Sequence, residues 1–328
     1  MPHHTQHELI HLSDEVAEAL DAGRPVVAME SSFISHGPPY PTNVEMAAAV
    51  DQAVRDTGGA PARIAIADGR FLVGMTPEQA DQLATTPGVP KVSTRDIGTV
   101  LASGGMGAAT VSAGLVAAEL VGIQVFAVAG IGGVHRNAQQ TFDISADLVQ
   151  FSRSRLAVVC AGAKSLLDPA LTLEYLETLG VPVVGYRCDD FPAYLSRSSG
   201  QPNPHRIDEL SQIAAAINHH WRLDGVGGFL VTHPIAEADE IPAEELERPL
   251  REALGKADSS GVAGPGVTPH VMASVSAATK GRSTAANRSV LVSTTRLAGE
   301  LAAELASARV ELATGRAEPA AVAQGASR

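Results

Sequence analysis

The chain has 328 residues, 45% of them hydrophobic and 18% charged, which is enough apolar side chain for a sizeable core without disulfides. Aromatic residues supply only 4%, so that core must be built mainly from Ala, Val, Leu and Ile. A formal net charge of −12 argues against a nucleic-acid backbone or an anionic membrane as partner, and leaves room for a small phosphorylated ligand held by local donors.

The opening "MPHHTQHELIHLSDEV" lacks an apolar signal core, and its His3, His4, His7 and His11 read as a mobile polar end rather than a metal site. "LSDEVAEALDAG" predicts a helix capped by Ser13 and stopped at Gly23. "RPVVAME" is a short apolar strand, and "PTNVEMAAAVDQAVRDTGG" a second helix closed by Gly58 and Gly59. "ARIAIADGRFLVGM" flanks Asp68-Gly69 with strand-forming residues, a strong hairpin signal. "GAATVSAGLVAAELVG" reads as an Ala-rich helix and "IQVFAVAG" as the next strand. "LAVVCAG" is a further strand, and "KSLLDPALTLEYLETLG" supplies helix, which would put Lys164 at a helix N-terminus. "VPVVGYR" and "GGFLVTHP" are strands, and "PAEELERPLREALGKADSSG" is helical.

Strands alternate with helices, and most strands are continuous apolar runs. That pattern predicts a layered α/β/α fold with a mostly parallel central sheet plus an antiparallel hairpin. No Pro/Gly/Ser linker divides the chain, so one domain is expected over 1–310, with a flexible Ala/Gly/Glu-rich tail over 311–328. Cys160 and Cys188 form no framework or metal-spaced pair, which suits a reducing cytoplasm, and no stretch approaches the length of a membrane span.

In open α/β sheets ligands gather where strands end. Glu30, the "AGIGGVH" loop and "AGAKS" all fall at such ends, so the fold would cluster Glu30, His135, Asp143, Asp147 and Lys164. Of the 24 basic residues only four are lysines, Lys91, Lys164, Lys256 and Lys280. A chain that uses Arg for ordinary charge keeps Lys where guanidinium fails, as in imine formation. The macrodipole and partial burial at a helix start would also lower the pKa of Lys164. Lys164 is thus either a nucleophile or a surface loop lysine. Lys91 either binds an anion or is solvated. Glu30 is a general acid–base or an ion-paired acid. Asp143 and Asp147 share a face if "DISADL" is helical, where with Ser145 they could hold Mg²⁺ or Mn²⁺, or Asp143 could cap the helix. The glycines of "AGIGGVHR" let backbone N–H groups approach an anion, but the spacing is not the dinucleotide fingerprint.

Taken together, "VAMESSFISHGPPYPTNVE", "ARIAIADGRFLVGMT", "KVSTRD", "GIQVFAVAGIGGVHRNAQQTFDISADL", "AVVCAGAKSLLD", "TLEYLETLGVPVVGYRCDDFPAYLSRSSG" and "PHRID" resemble the pseudouridine-5′-phosphate glycosidase family, in the indigoidine synthase A-like group. They run in family order from about residue 25 to 210, with patchier likeness beyond 225 through "GGFLVTHPI", "VTPHVM" and "AANRSVLV". The resemblance implies reversible cleavage of the C–C glycosidic bond of pseudouridine 5′-phosphate to uracil and ribose 5-phosphate, in a manganese-dependent homotrimer. It implies that Lys164 holds C1′ of the ring-opened ribose as an imine and that Glu30 moves the proton that releases uracil. By the same resemblance Asp143 carries Mn²⁺, and Lys91, Val111, His135, Ser145, Ala146, Asp147 and Asn287 contact substrate. The chain departs from the family in "GGMGAATV", where the usual loop is Thr-rich, and in "SVLVSTTRLAGE", which lacks paired asparagines. Such departures admit a related glycosidase acting on another C- or N-nucleotide. A sugar-phosphate-binding regulator on the same fold would need neither the acid nor the nucleophile.

Overall fold

A computed structural model describes residues 7–262 and 264–314. Its strands are β1 (Ile10–Leu12), β2 (Val26–Met29), β3 (Ala60–Ala67), β4 (Arg70–Val73), β5 (Lys91–Val92), β6 (Gly107–Ala109), β7 (Val125–Ala127), β8 (Val134–His135), β9 (Ala157–Cys160), β10 (Leu167–Asp168), β11 (Val183–Tyr186), β12 (His205–Ile207) and β13 (Phe229–Thr232). Eleven of them form one sheet, in the order β1-β4-β3-β2-β7-β9-β13-β11-β12 with β6 and β5 branching from β3.

The centre of that sheet, β2-β7-β9-β13-β11, is parallel, with Val27 opposite Val125, Phe126 opposite Val158 and Leu230 opposite Val158. Every residue of these strands is buried, so both faces are covered, as their unbroken apolar sequence requires. The helices Thr42–Arg55, Val111–Leu120, Leu210–His220 and Arg282–Thr314 provide much of the cover. This is the α/β/α layering expected from the sequence.

Asp68 and Gly69 both take positive φ, 51° and 73°, and close the antiparallel β3–β4 hairpin with a two-residue loop. Strand β3 overruns β2: its first half pairs with β2, and its second half with β4 and β6. Strand β6 therefore runs back toward the end of β2, where Ser31 N–H donates to Ala109 O at 3.2 Å. That return brings Thr110 and Val111 beside Glu30.

Three local expectations are corrected. Gly107–Ala109 is strand rather than the start of the Ala-rich helix, which begins at Val111. The helix expected from Lys164 begins only at Pro169, capped by Asp168, whose side chain accepts from Leu171 N–H at 3.0 Å. In "DISADL" the helix is Ala146–Phe151 and its cap is Ser145, not Asp143. At the C-terminus the helix Arg282–Thr314 includes the first residues of the expected tail, and 315–328 lie outside the described residues.

Candidate active site

Glu30 follows β2, Gly130 follows β7 and Lys164 follows β9. Because these three strands are parallel neighbours, their C-terminal ends open onto one edge of the sheet. There a cavity of about 970 Å³ is lined by Glu30, Lys91, Val111, His135, Asp143, Ser145, Ala146, Asp147, Lys164 and Asn287. All ten residues singled out in the sequence face this one space.

Lys164 lies on a loop, five residues before the helix start at Pro169, so the macrodipole does not act on it. Its backbone N–H donates to Ile131 O at 3.1 Å and its Nζ donates to Gly130 O at 2.6 Å. The residues after it form β10, which pairs antiparallel with β8 and sets Leu167 opposite His135. That ribbon holds Lys164 and His135 in a fixed relation. Burial disfavours the charged form of Lys91 and pushes its pKa down, and the positive charge of Lys164 nearby adds to the effect.

Glu30 accepts a short hydrogen bond from Ser32 Oγ and makes no ion pair among the described residues. Its backbone is held from below. Arg63, 1% exposed, donates to Glu30 O at 2.9 Å, to Ala47 O at 3.2 Å and to Asp51 at 2.6 Å, and its guanidinium stacks 5.2 Å from the Phe33 ring centroid.

The two aspartates take different parts. Asp147 is buried, and its carboxylate accepts from Ser112 N–H at 3.0 Å and from Gly132 N–H at 2.9 Å, joining the first turn of the helix Val111–Leu120 to the loop after β7. Gly132 has no room for a side chain, because an added Cβ would lie 2.6 Å from Ser145 Cβ and 2.8 Å from Asp147 Oδ2. Asp143 is carried by a bridge between Val134 and Ile144, in which His135 N–H donates to Asp143 O at 3.0 Å. Its carboxylate stays 40% exposed to the cavity, 3.8 Å from His135 Nδ1. Burial lowers the pKa of His135 more than the Asp143 carboxylate raises it, and the charges of Lys164 and Lys91 add to the lowering, which favours the neutral imidazole.

Two contributors carried no assigned role in the sequence. Tyr194 is buried beside Lys164 and Gly130, and its hydroxyl donates to Asn287 Oδ1 at 2.7 Å. Arg63 left one clue, a lone charge inside the apolar strand "ARIAIA". For Tyr194, spacing offered none.

The model of the family described as "Indigoidine synthase A like protein" matches residues 15–304. The chain belongs to that family. It is 55% identical over 296 residues to the pseudouridine-5′-phosphate glycosidase of Dickeya dadantii strain 3937, covering 90% of this chain and 94% of the relative. It is 46% identical to the pseudouridine-5′-phosphate glycosidase of Nocardioides sp. strain JS614, covering 92% and 99%. Among solved structures, the prealnumycin C-glycosynthase AlnA in complex with ribulose 5-phosphate matches with a TM-score of 0.86 at 46% identity, covering 93% of this chain and 99% of that one. An indigoidine synthase A-like protein of Thermotoga maritima matches with a TM-score of 0.83 at 34% identity and the same coverage. The chain is an enzyme of this family, and no described helix is long and apolar enough to cross a membrane.

Proposed function

We propose that this chain cleaves the C–C glycosidic bond of pseudouridine 5′-phosphate, giving uracil and ribose 5-phosphate, through an imine between Lys164 and C1′ of the ring-opened sugar. The observation that carries the reading is the placement of Glu30 and Lys164 on the same cavity, at the ends of β2 and β9, which flank β7. The glycosidase names of relatives up to 55% identical support it. A C–C bond offers no leaving oxygen or nitrogen to protonate, so paired-carboxylate glycoside hydrolysis does not suit it. An amine on C1′ does. Lys164 Nζ bonds to C1′ as the C1′–O4′ bond breaks, and O4′ takes up the proton the amine gives off, which opens the ring. As the C–C bond then breaks, its electron pair stays on the uracil carbon, Glu30 supplies a proton to that carbon, and the nitrogen lone pair leaves C1′ bonded to Lys164 as an imine. Water then hydrolyses the imine and returns the amine. Water plus substrate thus gives uracil plus ribose 5-phosphate, and the same steps run backwards make the bond.

Lys91, Val111, His135, Ser145, Ala146, Asp147 and Asn287 are assigned to substrate. A phosphate dianion beside Lys91 would offset the burial that disfavours its charge. Asp147 acts partly from behind, since its carboxylate already holds two backbone N–H groups. The donor set also fits a hydrated Mn²⁺. Among the described residues no group of three His, Cys, Asp or Glu could hold a metal, but such ions bind through one or two carboxylates with water and substrate oxygens completing the shell. Asp143 would be that carboxylate, and the ion would supply positive charge beside the sugar phosphate.

A cytoplasmic location and a homotrimer complete the proposal. Phe142, 82% exposed with φ of 54° and adjacent to Asp143, supports a subunit contact near the site. The likeness to a C-glycosynthase favours a second reading on the same chemistry, in which ribose 5-phosphate is joined to a carbon acceptor other than uracil.

The test is uracil release from pseudouridine 5′-phosphate by the manganese-loaded protein, with borohydride trapping of ribose 5-phosphate and peptide mapping. Label on Lys164 and a loss of turnover on the order of 10⁴-fold in Lys164→Arg are expected. Label on Lys91 would move the imine there, and absence of uracil would remove the substrate assignment.

A further inference from the structure

Tyr194 stands in an unusual position for a large residue. Its φ is 67°, in the left-handed region that costs an L-residue roughly 1–2 kcal/mol. Such strain persists only where the surroundings over-determine it, and it concentrates at working sites. The surroundings here are specific. Tyr194 N–H donates to Ala161 O at 2.8 Å, tying the residue to the end of β9. Its ring covers Gly130 so closely that a Cβ there would lie 2.6 Å from Tyr194 Cδ2. The carbonyl of that glycine accepts from Lys164 Nζ. The far end of the ring delivers its hydroxyl to Asn287 Oδ1 at 2.7 Å, across 93 residues of sequence.

This last contact fixes which way the amide faces. The side chain is 4% exposed, and Asn287 Oδ1 is the only acceptor its hydroxyl reaches among the described residues. Burial pushes the phenol pKa far up, with the Glu30 carboxylate adding to the effect, so the hydroxyl keeps its proton and donates. Were the amide turned round, its NH₂ would meet that proton, and a buried O–H would be left without a partner. With Oδ1 held, Asn287 Nδ2 makes no hydrogen bond to a described residue, and Asn287 lines the cavity. An amide held this way turns its oxygen toward Tyr194 and offers its two N–H donors to a ligand.

We infer that Tyr194 is a positioning residue that locks the Asn287 amide so that its NH₂ meets a carbonyl oxygen on the departing base, which selects bases bearing a carbonyl over those bearing an amino group at that position. The inference rests on the proposed reaction and deepens it. Rejection works because an amino group would point N–H at N–H. A site with one fixed donor discriminates through the group left unpaired, not only through the bond made.

The experiment compares uracil with cytosine, which replaces one carbonyl by an amino group. Inhibition of the manganese-loaded enzyme by each base is measured for the wild type and Tyr194→Phe. In the wild type uracil binds more tightly. In Tyr194→Phe the freed amide can rotate, so uracil binding weakens about 10-fold, the scale of one neutral hydrogen bond, while cytosine binding holds or improves. A purely structural role would weaken both bases together and leave their ratio unchanged, and that result overturns the inference. A second variant, Asn287→Asp, keeps the hydroxyl contact but presents an acceptor. It should reverse the preference toward cytosine, and retained preference for uracil would again overturn the lock. Borohydride trapping of ribose 5-phosphate separates the two levels of argument. Wild-type protein that traps no sugar defeats the proposed reaction. Protein that traps sugar but keeps the same base ratio in both variants defeats only the Tyr194 assignment.

Discussion

Asp51→Asn tests how the site is held from below. Arg63 is 2% exposed at its side chain and pairs with Asp51 at 2.6 Å, while Asp51 keeps 18% of its own exposure. Removing the carboxylate charge strands a guanidinium in the core, which typically costs 3–5 kcal/mol. The partial exposure of Asp51 lets water reach the gap, so the low end of that range, about 3 kcal/mol, applies. At ~2 °C per kcal/mol for a chain of this size, the melting temperature should fall by roughly 6 °C. Arg63→Met removes the pair from the other side and also strips donors from Glu30 O and Ala47 O. Denaturant unfolding of both single variants and the double variant gives the coupling between the two side chains, expected to be about 2 kcal/mol. Arg63→Met should in addition slow turnover, because the Glu30 backbone loses its anchor, whereas Asp51→Asn should slow it less. Free energies additive within ~0.5 kcal/mol would refute the buried pair as described.

Gly132→Ala places a methyl against Ser145 and Asp147, and a loop displaced by ~1 Å is expected to cut turnover about 100-fold while the protein still folds. Near-normal kinetics would mean that the loop moves freely. Chelation should suppress activity and Mn²⁺ restore it, with Asp143→Asn weakening the restoration. Full activity in excess chelator would remove the metal from the reaction. Burial pushes the Cys160 thiol up to about 12 and raises that of Cys188, so at pH 8 neither is a thiolate. Native protein should react slowly with a thiol reagent, and fast labelling of Cys160 would contradict its burial. If the proposed trimer meets at Phe142, Phe142→Ser should lower the mass measured by light scattering, and an unchanged mass would defeat that placement.

Much of the fold was legible because burial acts directly on sequence. Short apolar runs rich in β-branched residues, such as "VVAM" and "AVVC", read as strands covered on both faces, and Asp68-Gly69 supplies the positive φ its turn requires. The clustering of Glu30, His135 and Lys164 followed from strand ends alone. What sequence misplaced was decided by pairing between distant segments. Lys164 precedes a strand rather than a helix because Leu167 and Asp168 pair with His135 and Val134. Gly107–Ala109 left the Ala-rich helix because Ala108 pairs with Ala65 and Lys91. No local propensity encodes either partner.

The aspartates of "DISAD" show why residue type alone does not set a role. Both are carboxylates within one short segment, and both face the cavity. Asp147 receives one backbone N–H on each oxygen, so part of its acceptor capacity is spent on fixing Ser112 and Gly132. Asp143 is held through its own backbone, which leaves the carboxylate open. The same division recurs at Asn287 and Glu30, where Tyr194 and Arg63 hold one part of the residue and leave another facing the cavity. In each case the partner that does the holding comes from a distant segment. A site of this kind is rigid because its working groups are each half-committed to the scaffold, and only the uncommitted half is chemistry.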